Sequence, residues 1–448
     1  MVNAVDPPVT LLAGEQVASV QELDLADPPA MPDAVEELCK LADVERPEEI
    51  GDNGPAVAAR ATEANESHEA VRLFEVVFGR DSITVALMVA DVFPKLLEAT
   101  VLYHAGIQGV RYVERSEEEP GRIAHEVRDP GTPGPWTFPY YGAVDATPLF
   151  VRAAVRVIER RPELAAQVDD ALLAAVEWTL RRLEGDDLGL LSHLRANPDG
   201  LENQVWKDSW DSMSHADGSI ANHGAPVASV EVQALAYDAL IEALPHHPRP
   251  GVLRAAADRL ERAVEEHLWI DDAEGGFYAI GVDRDPATGA PRALATRASN
   301  MGRLLDSRLL DRPEHDARRH RIVELLTSDE FLAEGGIRTL SAREARFRAR
   351  AYHNGNCWGF DAYLASLGFE RHGFLDEAQE LRRRVAAACR TTHRFPEFVA
   401  GGEPGSELIA KRIVDVYDAV NGRMNRVEQP PQEIQGWTVG AMVAIEHA

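Results

Sequence analysis

From residue 81 onward one pattern keeps returning: apolar residues at three-to-four spacing through 81–106, 145–161, 163–185, 226–244 and 251–269. That spacing places the apolar side chains on one face of a helix. The same reading fits 33–43, 297–309, 317–329, 353–369, 373–389 and 435–447. Strand-like alternation is scarce, so the expectation is an all-α fold of about twelve helices packed in antiparallel pairs. Many of the segments open at Asp, Ser or Asn, residues suited to capping orphan N–H groups.

The connections between these segments are unequal. Short polar turns alternate with long stretches at 107–145, 186–225 and 391–434, rich in Gly, Trp, Tyr, His and Asp. Loops beyond ~12–15 residues in a compact domain usually carry function, so a site at the end of a helical array bearing the long loops is expected. No linker divides residues 66–448, which read as one domain. Residues 1–65, with VDPPVT, DLADPPAMPD and ERPEEIGDNGP, read as an irregular acidic, Pro-rich leader packed on that domain or partly disordered.

Charge narrows the function classes. With 46 basic against 74 acidic residues the formal charge is −28, which repels phosphate backbones and anionic lipid surfaces. Neither nucleic acid nor a membrane is an expected partner. Cys39, Cys357 and Cys389 are widely spaced and form no CxxC pair, which supports neither a disulfide framework nor a thiolate zinc site. No stretch reaches the ~18 apolar residues of a membrane span, and no basic-then-apolar leader opens the chain. A cytoplasmic protein is expected.

Four segments carry candidate chemistry. In NQVWKDSWDSMSHADG (203–218), Trp206 and Trp210 bracket Asp208, and Asp211 follows three residues later. An indole is a flat wall for a sugar ring, and a carboxyl against an apolar wall is held toward its protonated form, as a general acid requires. Helix capping is the alternative reading of both aspartates. In RFPEFVAGG (394–402), Glu397 lies between aromatic residues in a glycine-containing loop, with a plain pairing to Arg394 as the alternative. Paired carboxylates are what glycosidic cleavage needs. FGRDS (78–82) places Arg80 and Asp81 at a helix start, a fork for sugar hydroxyls or a cap. AYHNGNCWGFD (351–361) offers His353, Asn354, Trp358 and Asp361. No HExxH, P-loop, GxGxxG or GxSxG pattern occurs, and DDAEGG (271–276) reads as a turn; neither metal nor cofactor is expected.

On these and further motifs the sequence resembles the amylo-α-1,6-glucosidase, or glycogen-debranching, family. The motifs are FGRDS, EEPGRIAHEVR (118–128), YYGAVDATPLFV (140–151), WKDSWDSMSHADG (206–218), PVASVEVQALAY (226–237), SNMGRLL (299–305), GIRTLS (336–341), YHNGNCWGFD (352–361) and FPEF (395–398). The resemblance implies an (α/α)6 barrel of six helical hairpins and inverting hydrolysis of terminal α-linked glucose. It implies Arg80 and Asp81 on the sugar, a pocket lined by Tyr141, Asp145, Trp206, Trp210, Glu231, Arg338, His353, Asn354 and Trp358, and Glu397 as the base. Debranching enzymes with a W-x-D segment point to Asp208 as the acid. Trehalase-like and mannosyl-oligosaccharide glucosidase-like enzymes with SGxD point to Asp211. The family's β-rich N-terminal domain has no counterpart in residues 1–65, SNMG stands where SNPG is usual, and QEIQGW replaces a CSPQAW-like ending. The leading expectation is a debranching-type (α-1,6) glucosidase or a short-oligosaccharide α-glucosidase; these departures keep open the alternative of a small glucoside such as trehalose or glucosylglycerate, and a catalytically silent carbohydrate-binding barrel is the competing class.

Overall fold

A computed structural model describes residues 31–60, 74–402, 408, 412–418, 423–429 and 431–448. Among them are twelve α-helices: α1 (Ala34–Leu41), α2 (Gly79–Met88), α3 (Pro94–Gly106), α4 (Ala146–Arg160), α5 (Ala165–Gly185), α6 (Val230–Glu242), α7 (Pro250–His267), α8 (Arg303–Asp306), α9 (Asp316–Leu326), α10 (Gly359–Arg371), α11 (Leu375–Thr392) and α12 (Gly436–Glu446). The even-numbered helices pack in sequence, α2 on α4, α4 on α6, α6 on α8, α8 on α10, α10 on α12, and α12 back on α2. Outside them α3 lies on α2 and α4, α5 on α4, α7 on α6, α11 on α10, and α1 on α12.

The sequence explains which helices go inside. Every residue from Val230 to Leu240 of α6 and from Gly436 to Ala444 of α12 is buried; α12 carries no charge over that span, as an all-round buried helix requires, while α6 buries Glu231, Gln233 and Asp238 with partners. In α7 the buried positions are Leu253, Ala256, Ala257, Leu260, Glu261, Ala263 and Val264, a single stripe. Its Arg- and Glu-rich remainder faces water.

Several expected boundaries move. The segment 81–106 is two helices, because Pro94, which lacks an N–H, starts α3 at its first position. The expected helix over 297–309 is a 3₁₀ turn at Ser299–Gly302, the short α8 and a second 3₁₀ turn at Arg308–Leu310. Ser307 is extended there and caps the N–H of Leu309. The helix expected over 353–369 begins at Gly359. Gly355 has φ +155°, and Cys357 is bridged to Val399, so 353–358 is held as a turn followed by a bridged residue and not as helix. The long stretch 391–434 also contains a hairpin, Arg412–Asp418 paired antiparallel with Arg423–Gln429, where only loop was expected.

Of the expected leader, residues 1–30 and 61–65 lie outside the described residues. Within 31–60, Ala59–Arg60 pairs with Ile434–Gln435, and Arg60 Nη2 reaches Glu37 Oε2 at 2.9 Å. Among the described residues no helix is long and apolar enough to cross a membrane.

Candidate active site

The starts of α2, α4, α10 and α12 meet at one end. Arg80 in the first turn of α2 meets Asp145, the residue before α4, and its guanidinium carbon lies 5.9 Å from the centre of the Trp437 ring in α12. Phe360 at the start of α10 stacks on Trp437 at 4.0 Å. Helix N-termini carry partial positive charge and favour carboxylates nearby.

Arg80 organises the acidic groups there. Its Nη1 donates to both oxygens of Asp145 at 3.3 and 3.2 Å, its Nη2 to Asp208 Oδ2 at 3.4 Å, and its Nε lies 3.8 Å from Asp81 Oδ2. Asp81 sits in the first turn, one residue beyond Arg80, and Phe78 is the cap position, so Asp81 does not cap. Burial pushes the Asp81 carboxyl up to about 7; Arg80 opposes this, while Asp208, Asp145 and Glu397 add to it. Burial also raises Asp145 against the pull of Arg80. Several carboxylates around one guanidinium form a hydrogen-bonding fork with both donors and acceptors, the inventory that recognises sugar hydroxyls.

Glu397 is buried on a loop fixed by its main chain. Its N–H donates to Gln432 O at 2.8 Å, and Cys357 and Val399 exchange bonds of 2.8 and 2.9 Å. Tyr352 Oη donates to Glu397 Oε1 at 2.9 Å, and the Gln432 N–H to Oε2 at 3.1 Å. Both carboxylate oxygens therefore have fixed directions. Arg338, expected in the sugar pocket, is buried against this loop. Its guanidinium donates to the carbonyls of Gly401 at 2.6 Å, Asp329 at 2.6 Å and Gly402 at 3.4 Å.

The segment around Asp208 and Asp211 is a series of turns with no helix between Gly185 and Val230, so neither aspartate is a helix cap. Asn203 Nδ2 holds the carbonyl of Ser209 at 2.8 Å, and Ser209 Oγ meets His353 Nδ1 at 2.8 Å. The side chains of Asp208 and Asp211 are about equally open, 30% and 28% exposed, but face different partners. Asp208 belongs to the Arg80 cluster. Asp211 Oδ2 takes Arg346 Nη2 and Asn354 Nδ2, each at 3.1 Å.

Trp206 and Trp358 are buried in an aromatic group with His353. Trp206 lies edge-on to His353 at 5.6 Å, and His353 is stacked on Trp358 at 5.2 Å. Trp210 is 38% exposed. Tyr141 donates to Ile107 O at 2.8 Å, which fastens a loop, and its burial pushes the phenol up to about 12. Glu231 lies deeper, bonded by Ser229 Oγ. It shares an electrostatic cluster with Lys207, whose ammonium donates to Thr339 O at 2.6 Å and is held down to about 8 by burial, against the pull of Asp361 and Glu231. Sequence reasoning missed Tyr352, Lys207, Arg346 and Trp437. Tyr352 and Lys207 lie inside motifs already singled out, but their partners are far away in sequence. No group of metal-ligating side chains occurs among the described residues, and Asp272 caps its own turn at the N–H groups of Glu274 and Gly276, each at 2.8 Å.

Known proteins share this fold. No match was found among curated proteins. Among solved structures, the GH63 mannosylglycerate hydrolase of Thermus thermophilus in complex with glucose is 17% identical, with a TM-score of 0.60 over 93% of this chain and 99% of that one. The same hydrolase with Tris and D-glycerate gives 16% identity and 0.58 over 92% and 98%. A structure described as a wild-type glycosidase gives 13% and 0.53 over 92% and 97%. At these identities the likeness is one of fold. The family model of the mannosylglycerate hydrolase MGH1-like glycoside hydrolase domain matches residues 121–400, which is more than half of the chain and includes Asp208, Asp211 and Glu397. The chain belongs to that glycoside hydrolase family.

Proposed function

We propose that the protein is an inverting hydrolase that releases a hexose from a small, acidic glycoside of the hexosylglycerate type. The observation that carries the reading is Glu397: a buried loop carboxylate, oriented by Tyr352 and Gln432, in the same electrostatic cluster as Arg80, Asp81, Asp145 and Asp208. In the proposed reaction Arg80, Asp81 and Asp145 hold the hexose hydroxyls. Asp208 donates its proton to the glycosidic oxygen, Glu397 takes a proton from the attacking water on the opposite sugar face, and hexose and aglycone leave with the configuration inverted. The ring of inner helices is proposed to close as an (α/α)6 barrel formed by residues 66–448. The family match and the hydrolase solved with D-glycerate support a small substrate over the debranching of an α-1,6-linked glucan.

A second reading gives the acid to Asp211. Arg346 beside it has a buried Nε with no hydrogen-bond partner, and a guanidinium at that point suits the carboxylate of an acidic aglycone. An acid must reach the oxygen that joins the sugar to that aglycone.

Release of hexose from mannosylglycerate, glucosylglycerate, trehalose, isomaltose and branched limit dextrin separates these readings when Glu397→Gln, Asp208→Asn and Asp211→Asn are assayed beside the parent protein. Turnover of a hexosylglycerate, lost in Glu397→Gln and in one aspartate variant, with the opposite anomer seen first by NMR, establishes the reading and names the acid. Preference for limit dextrin returns the protein to a debranching role. Release unaffected by all three changes removes the site assignment.

A further inference from the structure

A cavity of about 550 Å³ lies among α2, α4, α6, α8 and α10, lined from Leu149 in the first turn of α4 and Thr84 in the middle of α2 to Arg160 and Glu242 at the last residues of α4 and α6, a size typical of sites for small ligands. Five arginines line it: Arg152, Arg156, Arg160, Arg303 and Arg308. Only three carboxylates share the lining, Glu159, Glu242 and Asp306. In a chain of charge −28 this is a local excess of cations.

Part of that excess is met by neighbours. Arg156 and Arg160 share Asp91, and Arg152 lies 3.5 Å from both Asp238 and Glu242. Arg303 is different. Its Nη1 is buried without a hydrogen-bond partner, and among the described residues its guanidinium makes no ion pair. Burial pulls it below its ordinary range; Asp306, Asp361 and Glu231 oppose this and Arg152 adds to it. Buried guanidinium groups are ordinarily paired, and the planar fork of arginine fits phosphate oxygens two at a time.

We propose that this cavity is a second binding site, separate from the sugar pocket, for a phosphate dianion, free or carried on a sugar, with Arg303 as its principal ligand and Arg152 and Arg308 beside it. The oxyanion would fill the unmet hydrogen-bonding capacity of Arg303 and offset the mutual repulsion of Arg303 and Arg152.

Isothermal titration of the full chain at constant ionic strength, with inorganic phosphate and separately with glucose 6-phosphate, tests this. One saturable site is expected in the parent protein and in Glu397→Gln, weakened by about tenfold or more in Arg303→Gln. The tighter of the two ligands names the source of the phosphate group. Arg308→Gln, an exposed position on the rim, also weakens binding and serves if Arg303→Gln does not fold. Absence of saturable binding for both ligands overturns the proposal, and so does binding unchanged by the arginine substitutions. The arginines would then serve only to balance the negative ends of the converging helices.

Discussion

Glu397 and Asp81 occupy one cluster but are expected to answer substitution differently. In the proposed reaction Glu397→Gln keeps the size of the side chain and one of its two acceptor oxygens and removes the base, so kcat falls by about 10²–10⁴-fold with the fold intact by circular dichroism. Tyr352→Phe removes the charge-assisted bond of 2.9 Å that aims the carboxylate, and kcat falls by about 10–100-fold with KM nearly unchanged; an equal rise in KM would assign Tyr352 to substrate binding instead. Asp81 governs stability against pH. Its folded pKa, pushed up to about 7, lies above its ordinary value of 3.8, so the folded state binds this proton more tightly than the unfolded state. The resulting stabilisation is full below the unfolded pKa and is lost as pH rises through about 7. Asp81→Asn abolishes this fall between about pH 4 and 7, seen as a flatter denaturation midpoint against pH. Glu397 was legible because aromatic residues in a glycine-containing loop are an unusual setting for a glutamate. Tyr352 was not, because its role depends on residues 394–402 folding back against 351–358.

Among the elements, the helix starts carry the site, and Gly79 illustrates the demand. A Cβ there would lie 1.9 Å from the carbonyl oxygen of Ala124, so the first residue of α2 can approach that main chain only as glycine. Gly79→Ala is expected to destabilise by about 1–3 kcal/mol, read from the denaturant midpoint, and to lower kcat/KM by moving Arg80. Gly106, the last residue of α3, has nothing within 4 Å of an added Cβ. Gly106→Ala is expected to be neutral or stabilising by up to about 1 kcal/mol, and equal losses at the two positions would refute the packing argument. The same contrast explains what could be read in advance. Helices with a polar face, such as α5, α7 and α11, declare themselves by period. The 353–358 stretch, HNGNCW, reads as part of the expected helix because of the apolar run that follows it from Gly359, yet Gly355 and the bridge from Cys357 to Val399 keep it out of the helix. The paired strands Arg412–Asp418 and Arg423–Gln429 read as loop from the sequence because neither RIVDVYD nor RMNRVEQ alternates strictly between apolar and polar residues.

At the scale of the whole molecule the ring has two unlike ends. Carboxylates gather around Arg80 at the starts of α2 and α4, and most of the cavity's arginines lie further along, Arg160 at the last residue of α4 and Arg308 beyond α8, each an arrangement that helix dipoles favour. Around both lies a chain of net charge −28, whose long-range field an acidic glycoside must approach. At ~0.01 M salt the screening length is about 30 Å and the field extends well beyond the surface; at ~0.15 M it is about 8 Å. The contact to Arg346 proposed for an acidic aglycone is short-range and screened much less. Raising salt over this range should therefore increase kcat/KM for a hexosylglycerate, because the encounter becomes less repulsive, and leave trehalose or another neutral glycoside nearly unchanged. Stopped-flow or initial-rate measurements at matched pH check this. A decrease for the acidic substrate would show that cations at the pocket mouth outweigh the net charge, and the approach would then be steered locally by side chains such as Arg346.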